Sequence, residues 1–169
     1  MLKIPKTIHD QMRVHAEAEA PLECCGILGG KNGTVSHLYK ITNIIAMNGA
    51  ELINFDDKKV AHLQSLSPEK RARIAFVMDA HEMSLAFKDM RSRRIELQGF
   101  YHSHPNGPDR PSPTDIKVAN DFSSTREVLN QPEPLYVIIS LETPNRPSVK
   151  AYRIVGRRFI EERLEVVAS

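Results

Sequence analysis

Ile95-Glu96-Leu97-Gln98-Gly99-Phe100-Tyr101-His102-Ser103-His104-Pro105, resumed after a proline-rich connection by Ser112-Pro113-Thr114-Asp115, is the stretch on which the fold turns. Residues 95–103 read as a strand. Pro105, Gly107, Pro108 and Pro111 break it. Ser112 followed by Pro113 then has the form of a helix start, with Ser as N-cap and Pro at the first helical position. The unit is strand, loop, helix. Downstream, Leu135 to Ser140 is a continuous apolar run, as expected of a strand covered on both faces. Val149–Val155 and Phe159–Val167 are expected to complete the sheet.

Upstream the same alternation continues. Thr7 to Ala20 reads as a helix, with Ile8, Met12, His15 and Ala16 on one stripe. Cys24–Leu28 and Thr34–Ile45 read as a hairpin whose turn, Gly29 to Gly33, is longer than the tightest type. Residues 47–72 are polar and charged, and read as a surface insertion with one helical turn around Val60 to Leu66. Ile74 to Met78 is expected as a short strand. Asp79 is an N-cap with Glu82 three residues on, and Met83, Ala86, Phe87 and Met90 mark one helical face. Interleaved strands and helices give an α/β (α+β) class with a mixed sheet.

A chain of 169 residues suffices for one domain with a real core, and its 41% hydrophobic and 26% charged residues are those of a globular protein. A formal net charge of +2 is too small to argue for nucleic acid or an anionic membrane as partner. No apolar run approaches the ~20 residues of a membrane span, and the N-terminus lacks the apolar region of a signal peptide, so the expected location is cytoplasmic. Cys24 and Cys25 are adjacent and poorly placed to pair, which agrees with a reducing compartment.

The chemistry gathers around the opening segment. Side chains two apart on a strand project to the same side, so His102 and His104 point together. Two imidazoles suit zinc, and Asp115 can add a carboxylate if the helix start folds back over the strand end. Two His and one Asp leave a fourth position open, the pattern of a catalytic metal. Taken alone, a His-x-His is a common surface or packing feature, and Ser112 with Asp115 reads as helix capping. A hydrolytic metal also needs a carboxylate to take a proton from water. Spacing does not identify it. Glu23 stands out at the start of a small apolar strand, where pattern alone reads it as an exposed strand-end charge.

Glu23, His102-Ser103-His104-Pro105, Ser112 and Asp115 together resemble the signature of the JAMM/MPN+ zinc metallopeptidases: Glu, then His-Ser/Thr-His, seven residues, Ser, two residues, Asp. Pro21-Leu22-Glu23-Cys24-Cys25-Gly26, Phe100-Tyr101 and Ala151-Tyr152-Arg153-Ile154-Val155 are similar to the small prokaryotic members. The resemblance covers the chain apart from about residues 47–72. It implies a single JAMM/MPN domain with a curved mixed sheet flanked by helices, similar to cytidine deaminases. It implies one zinc held by His102, His104 and Asp115, Glu23 as general base acting on a zinc-activated water, and Ser112 steadying the oxyanion. The implied substrate is the carbonyl bond after the C-terminal Gly-Gly of a ubiquitin-like sulfur-carrier protein. A deubiquitinase-like isopeptidase and a non-catalytic interaction module are the alternatives, and a homodimer stays open.

Other hydrolytic readings fit less well. A nucleobase deaminase needs His-x-Glu and Pro-Cys-x-x-Cys, which the adjacent cysteines do not supply. His81-Glu82-Met83-Ser84-Leu85 begins like a zincin motif, but Leu85 fills the second histidine's place, so His81 reads as a helix-surface residue. Cys24 or Cys25 as a nucleophile is disfavoured because a buried thiol behaves as a small hydrophobe. The 47–72 segment is expected to border the groove for the carrier tail, which would bind as an added strand.

Overall fold

The computed structural model describes residues 1–47, 52, 55–129 and 133–168, with backbone alone for 124–129. In chain order the elements are β1 (Leu2–Pro5), α1 (Lys6–Glu19), β2 (Cys25–Lys31), β3 (Thr34–Ile41), α2 (Asp57–Ser65), α3 (Pro68–Ala72), α4 (Ala80–Arg93), β4 (Glu96–His104), α5 (Pro113–Leu129), β5 (Leu135–Ser140), β6 (Ser148–Val155), β7 (Arg158–Glu162) and β8 (Leu164–Val167). The strands form one mixed sheet in the order β7-β6-β5-β4-β2-β3-β1-β8. β4 sits near its centre, parallel to β5 and antiparallel to β2. A parallel pair needs a crossover connection, and α5 supplies it.

The expected strand Phe159–Val167 is two strands, broken at Arg163 and lying at opposite ends of the strand order. Only one residue separates them, so the sheet must curl until its two ends approach each other. The twist common to all sheets gives that curl its start. β1 was not apparent in the sequence, being four residues long and ending in Pro5; it pairs in parallel with both β3 and β8.

The hairpin differs from expectation in its turn. β2 continues through Gly29, Gly30 and Lys31, and the chain reverses at Asn32-Gly33, where φ is 50° and 75°. This is the tight two-residue turn that the right-handed twist favours, and Asn-Gly suits its left-handed backbone. Gly29-Gly30 therefore belongs to the strand, which carries a register shift there. A Cβ on Gly30 would collide with the Thr34 carbonyl, a backbone atom that cannot swing away. Gly30→Ala is expected to lower stability by about 1–3 kcal/mol, read as a lower urea midpoint with unchanged slope.

Strand alternation sorts the core into two layers. Cys24, Leu28, Tyr101, Val137 and Ile139 pack with Ile8, Met12 and Ala16 of α1 on one face. Cys25, Ile27, Phe100 and Tyr136 pack with Ala86 and Met90 of α4 and Ala119 of α5 on the other. The Tyr101 hydroxyl is satisfied within the first layer by His15 Nδ1 at 2.9 Å; left unpaired it would cost about 1–3 kcal/mol. The stripe read on α1 is the buried one. Asp79 caps α4 by accepting the Glu82 N–H at 2.8 Å, and His81 is exposed on that helix.

Residues 47–72 carry more structure than one turn. Asp56 caps α2 through the Lys59 N–H, and Leu63, Phe55 and Ala72 form a third apolar cluster with Ile45 and Ala75. Ile74–Met78 is not a strand: it contributes an isolated bridge from Met78 to Asn43. Its backbone is held instead by neighbours, as in the Ile44 N–H bond to the Val77 carbonyl at 2.8 Å. Among the described residues no helix is long and apolar enough to cross a membrane.

Candidate metal centre

The carboxyl end of β4 is the base of the site. Alternation puts Phe100, His102 and His104 on the face of α4 and α5, with Tyr101 and Ser103 on the face of α1. Beyond His104 the loop 105–111 is fastened to the neighbouring strands. Ser140 Oγ donates to the Gly107 carbonyl at 2.6 Å, the Tyr152 hydroxyl to the Asp109 carbonyl at 2.7 Å, and Ser148 Oγ to the Asp109 carboxylate at 2.7 Å. The loop thus returns the chain over the strand end, and α5 begins there.

Ser112 and Asp115 form a reciprocal cap on α5. The Asp115 N–H donates to Ser112 Oγ at 3.2 Å, and the Ser112 N–H donates to Asp115 Oδ2 at 2.7 Å. The capping reading is met by this geometry, and the same geometry leaves room for the metal reading. The same carboxylate that closes the cap faces the histidines, with Oδ1 3.3 Å from His102 Nε2 and Oδ2 3.4 Å from His104 Nε2.

His102 Nε2 and His104 Nε2 stand 3.0 Å apart. His104 Nδ1 lies 2.7 Å from the Pro108 carbonyl, which can only accept, so Nδ1 holds the proton and Nε2 presents a lone pair. A carbonyl fixing the far nitrogen in this way is the usual support of a metal-bound imidazole. Two ligands at zinc distance, about 2.0–2.1 Å from a shared centre, are about 3.3–3.4 Å apart at the tetrahedral angle. One ligand atom from each of His102, His104 and Asp115 lies within 4.8 Å of the other two. The donor set, two imidazoles and one carboxylate nine-tenths buried, fits a zinc ion with a coordination position left open.

Charge arguments agree. Burial opposes ionisation of Asp115, but the facing His102 and His104 outweigh it and hold the carboxyl well below the usual range. For His104, burial likewise opposes the charged form, and Asp115 with the Pro108 carbonyl raises its pKa overall. The pocket is built for positive charge at its centre.

Glu23 is not the exposed strand-end charge that pattern alone suggested: it is 8% exposed. It precedes β2 and is held by its backbone, its N–H donating to the Ala72 carbonyl at 2.7 Å. The next residue is clamped to β4, with the Cys24 N–H on Ser103 Oγ at 2.8 Å. Burial pushes the Glu23 carboxyl up to about 8, against the opposing pull of His104. Glu23, His104, Ser112 and Asp115 line one cavity of about 750 Å³, with Phe76, Pro105 and Arg110. Phe55 and Lys59 of the 47–72 segment line it too, so that segment does border the cavity. His102 is buried, its ring 4.8 Å from that of Phe76.

The cysteines stand apart from this chemistry. Cys24 and Cys25 are buried on opposite faces of the sheet, and burial pushes the Cys24 thiol up to about 12 and Cys25 well above its usual value. Neither supplies a thiolate near neutrality. Two side chains that bond the main chain beside Glu23 escaped sequence reasoning, Ser103 and Asn43. Ser103 carried a signal, as the residue between the histidines that must face the other layer; Asn43 carried none.

Comparison with known proteins is consistent with this geometry. The model of prokaryotic homologues of the JAB domain matches residues 5–155. A CysO-cysteine peptidase of Mycobacterium tuberculosis is 26% identical over 167 residues, 99% of this chain and 92% of the relative. A probable TtuB-protein conjugate cleaving protease of Thermus thermophilus is 27% identical over 70% of this chain and 64% of its own length. The solution structure of protein DSY2949 from Desulfitobacterium hafniense is 30% identical, covers 100% of this chain and 94% of its own, and superposes with a TM-score of 0.69.

Proposed function

The chain belongs to the family of prokaryotic JAB-domain homologues and is a hydrolase of the JAMM/MPN type, and from that premise we propose that it cleaves the carbonyl bond after the C-terminal Gly-Gly of a ubiquitin-like sulfur-carrier protein. In this reading one zinc ion per chain is held by His102, His104 and Asp115, Glu23 is the general base, and Ser112 assists the developing oxyanion. The observation that carries the reading is the convergence of His102, His104 and Asp115 beside a cavity that a buried Glu23 also lines. The carrier substrate draws on the relatives, a CysO-cysteine peptidase and a probable TtuB-protein conjugate cleaving protease.

Zinc, when bound, supplies Lewis acidity and brings the pKa of water toward neutrality. The chain's own residues do the rest. Glu23 takes a proton from the attacking water and delivers it to the leaving nitrogen. Its burial raises its affinity for that proton while the cations around it keep the charged form within reach. Ser112 Oγ accepts the Asp115 N–H, which leaves its own O–H to donate toward the carbonyl oxygen as charge develops. Ser112→Ala is expected to lower kcat by about 10²–10³-fold with zinc content unchanged. Its helix cap loses about 0.5–2 kcal/mol, measurable by thermal melting. We read the chain as one domain with 47–72 as an insertion beside the cleft, working in the cytoplasm, where Cys24 and Cys25 stay reduced.

The test is incubation of the zinc-loaded protein with Gly-Gly-ended small proteins carrying a C-terminal cysteine, a peptide tail or a lysine-linked protein, followed by mass spectrometry. The expected product is the carrier ending in Gly-Gly, released from cysteine or the short tail. Preferential cleavage of the lysine-linked form would favour the isopeptidase alternative. No cleavage of any of them, with zinc bound, would sink the proposal.

A further inference from the structure

Asn43 lies just beyond β3, beside the start of β2, and its side-chain amide makes four hydrogen bonds. Nδ2 donates to the Glu23 carbonyl at 3.0 Å and to the Ala75 carbonyl at 3.2 Å. Oδ1 accepts the Ile45 N–H at 3.2 Å and the Val77 N–H at 3.1 Å. A primary amide offers two donors and two acceptor lone pairs, so every site is used. The orientation is fixed by its partners, since a flipped amide would set donors against donors and carbonyls against a carbonyl.

These bonds tie two segments that flank the cavity. One is the backbone of Glu23, already held through its N–H by the Ala72 carbonyl. The other is the irregular stretch 73–78, of which Arg73, Ile74, Ala75 and Phe76 line the cavity wall. That stretch forms no strand among the described residues; the Asn43–Met78 bridge and the Ile44–Val77 bond lie beside it, and the Ile74 N–H turns back to the Arg71 carbonyl. A backbone without a ladder depends on side chains for its placement.

We propose that Asn43 is a positioning residue for Glu23: its amide locks the Glu23 main chain to the 73–78 cavity wall, so that the base and the wall against which substrate lies keep one fixed separation. The proposal rests on Glu23 being the general base. Asn43 itself touches neither the metal ligands nor the substrate space. Its effect is on the precision of the Glu23 carboxylate, and displacement of a reacting group by an ångström costs up to about a hundredfold in rate.

Asn43→Asp separates the two halves of the tie. It keeps acceptors for Ile45 and Val77 and sets an oxygen against the Glu23 and Ala75 carbonyls. The expected result is a fall in kcat of about tenfold to a hundredfold, with KM for a Gly-Gly-ended carrier within about twofold and zinc content unchanged. In the metal-free protein, hydrogen exchange at the Glu23 and Val77 amides should rise together. Asn43→Ala, which deletes the tie without setting an oxygen against the carbonyls, should show the same fall in kcat with KM and zinc content kept, and it replaces the Asp variant should that one fail to fold. A folded variant with wild-type kcat, or a loss confined to KM, overturns the proposal. Glu23→Gln run alongside separates the two failures: if it remains active, the base assignment falls and the positioning role with it; if it is inactive while Asn43→Asp turns over normally, only the positioning role falls.

Discussion

Glu23→Gln is expected to retain zinc and to lose about 10²–10⁴-fold in kcat, the usual contribution of a general acid–base group. Gln has the same shape and reaches the same place, but it holds no proton that it can exchange. The Glu23 backbone anchor to Ala72 does not involve the side chain, so the substitution leaves the fold of the strand start intact. Burial supplies a second signature. The Glu23 carboxyl is pushed up to about 8 in the folded protein and titrates near its ordinary 4.5 when unfolded. Between those values the folded state holds a proton that the unfolded state has released, so stability falls as pH rises through that window and levels off above it. Gln removes this penalty. The metal-free variant is therefore expected to be more stable than the wild type at pH 8 and indistinguishable from it at pH 4. Urea midpoints across pH measure this. Full activity in the Gln variant would show that another group moves the proton.

Removing a ligand has the larger effect on the metal. His104→Ala takes away Nε2 and also the link from Nδ1 to Pro108, which fixes the loop leading to Ser112. Zinc retention is expected to fall below stoichiometry and turnover to become undetectable, because two remaining ligands do not make a tight site. Asp115 would then lose one of the two partners that hold its carboxyl low. Metal analysis after dialysis checks the first claim and the carrier-cleavage assay the second. Chelator treatment of the wild type should reproduce the loss of activity, with recovery on adding zinc. A His104→Ala protein that binds zinc stoichiometrically would remove this residue from the ligand set.

The part of the site that could be read from sequence is the part fixed by local geometry. A two-residue repeat on a strand brings His102 and His104 together, and a Ser-Pro-x-Asp helix start places a carboxylate one turn from the loop end. Both are short-range facts. Glu23 looked like a surface charge because its burial is contributed by Ala72, Asn43 and the 73–78 stretch, none of which announces itself locally. The same reason hid the true hairpin turn. Gly29-Gly30 resembles a loop, but the glycines are there because β3 passes too close for a side chain at Gly30. Arg163 ended one strand and opened another only because the sheet curls, and curl is a property of the whole. The fold class and the strand–loop–helix unit were legible; the pairing order was not.

The two buried thiols, one on each face of the sheet, make a pair of internal reporters. Each reacts with an alkylating reagent only when its own layer parts from the sheet, since neither ionises readily while covered. Labelling of Cys24 therefore times the departure of the α1 layer, and labelling of Cys25 times that of the α4–α5 layer. A metal that joins the end of β4 to the start of α5 should slow the second clock and leave the first unchanged, so one reagent separates the breathing of the scaffold from that of the reactive side.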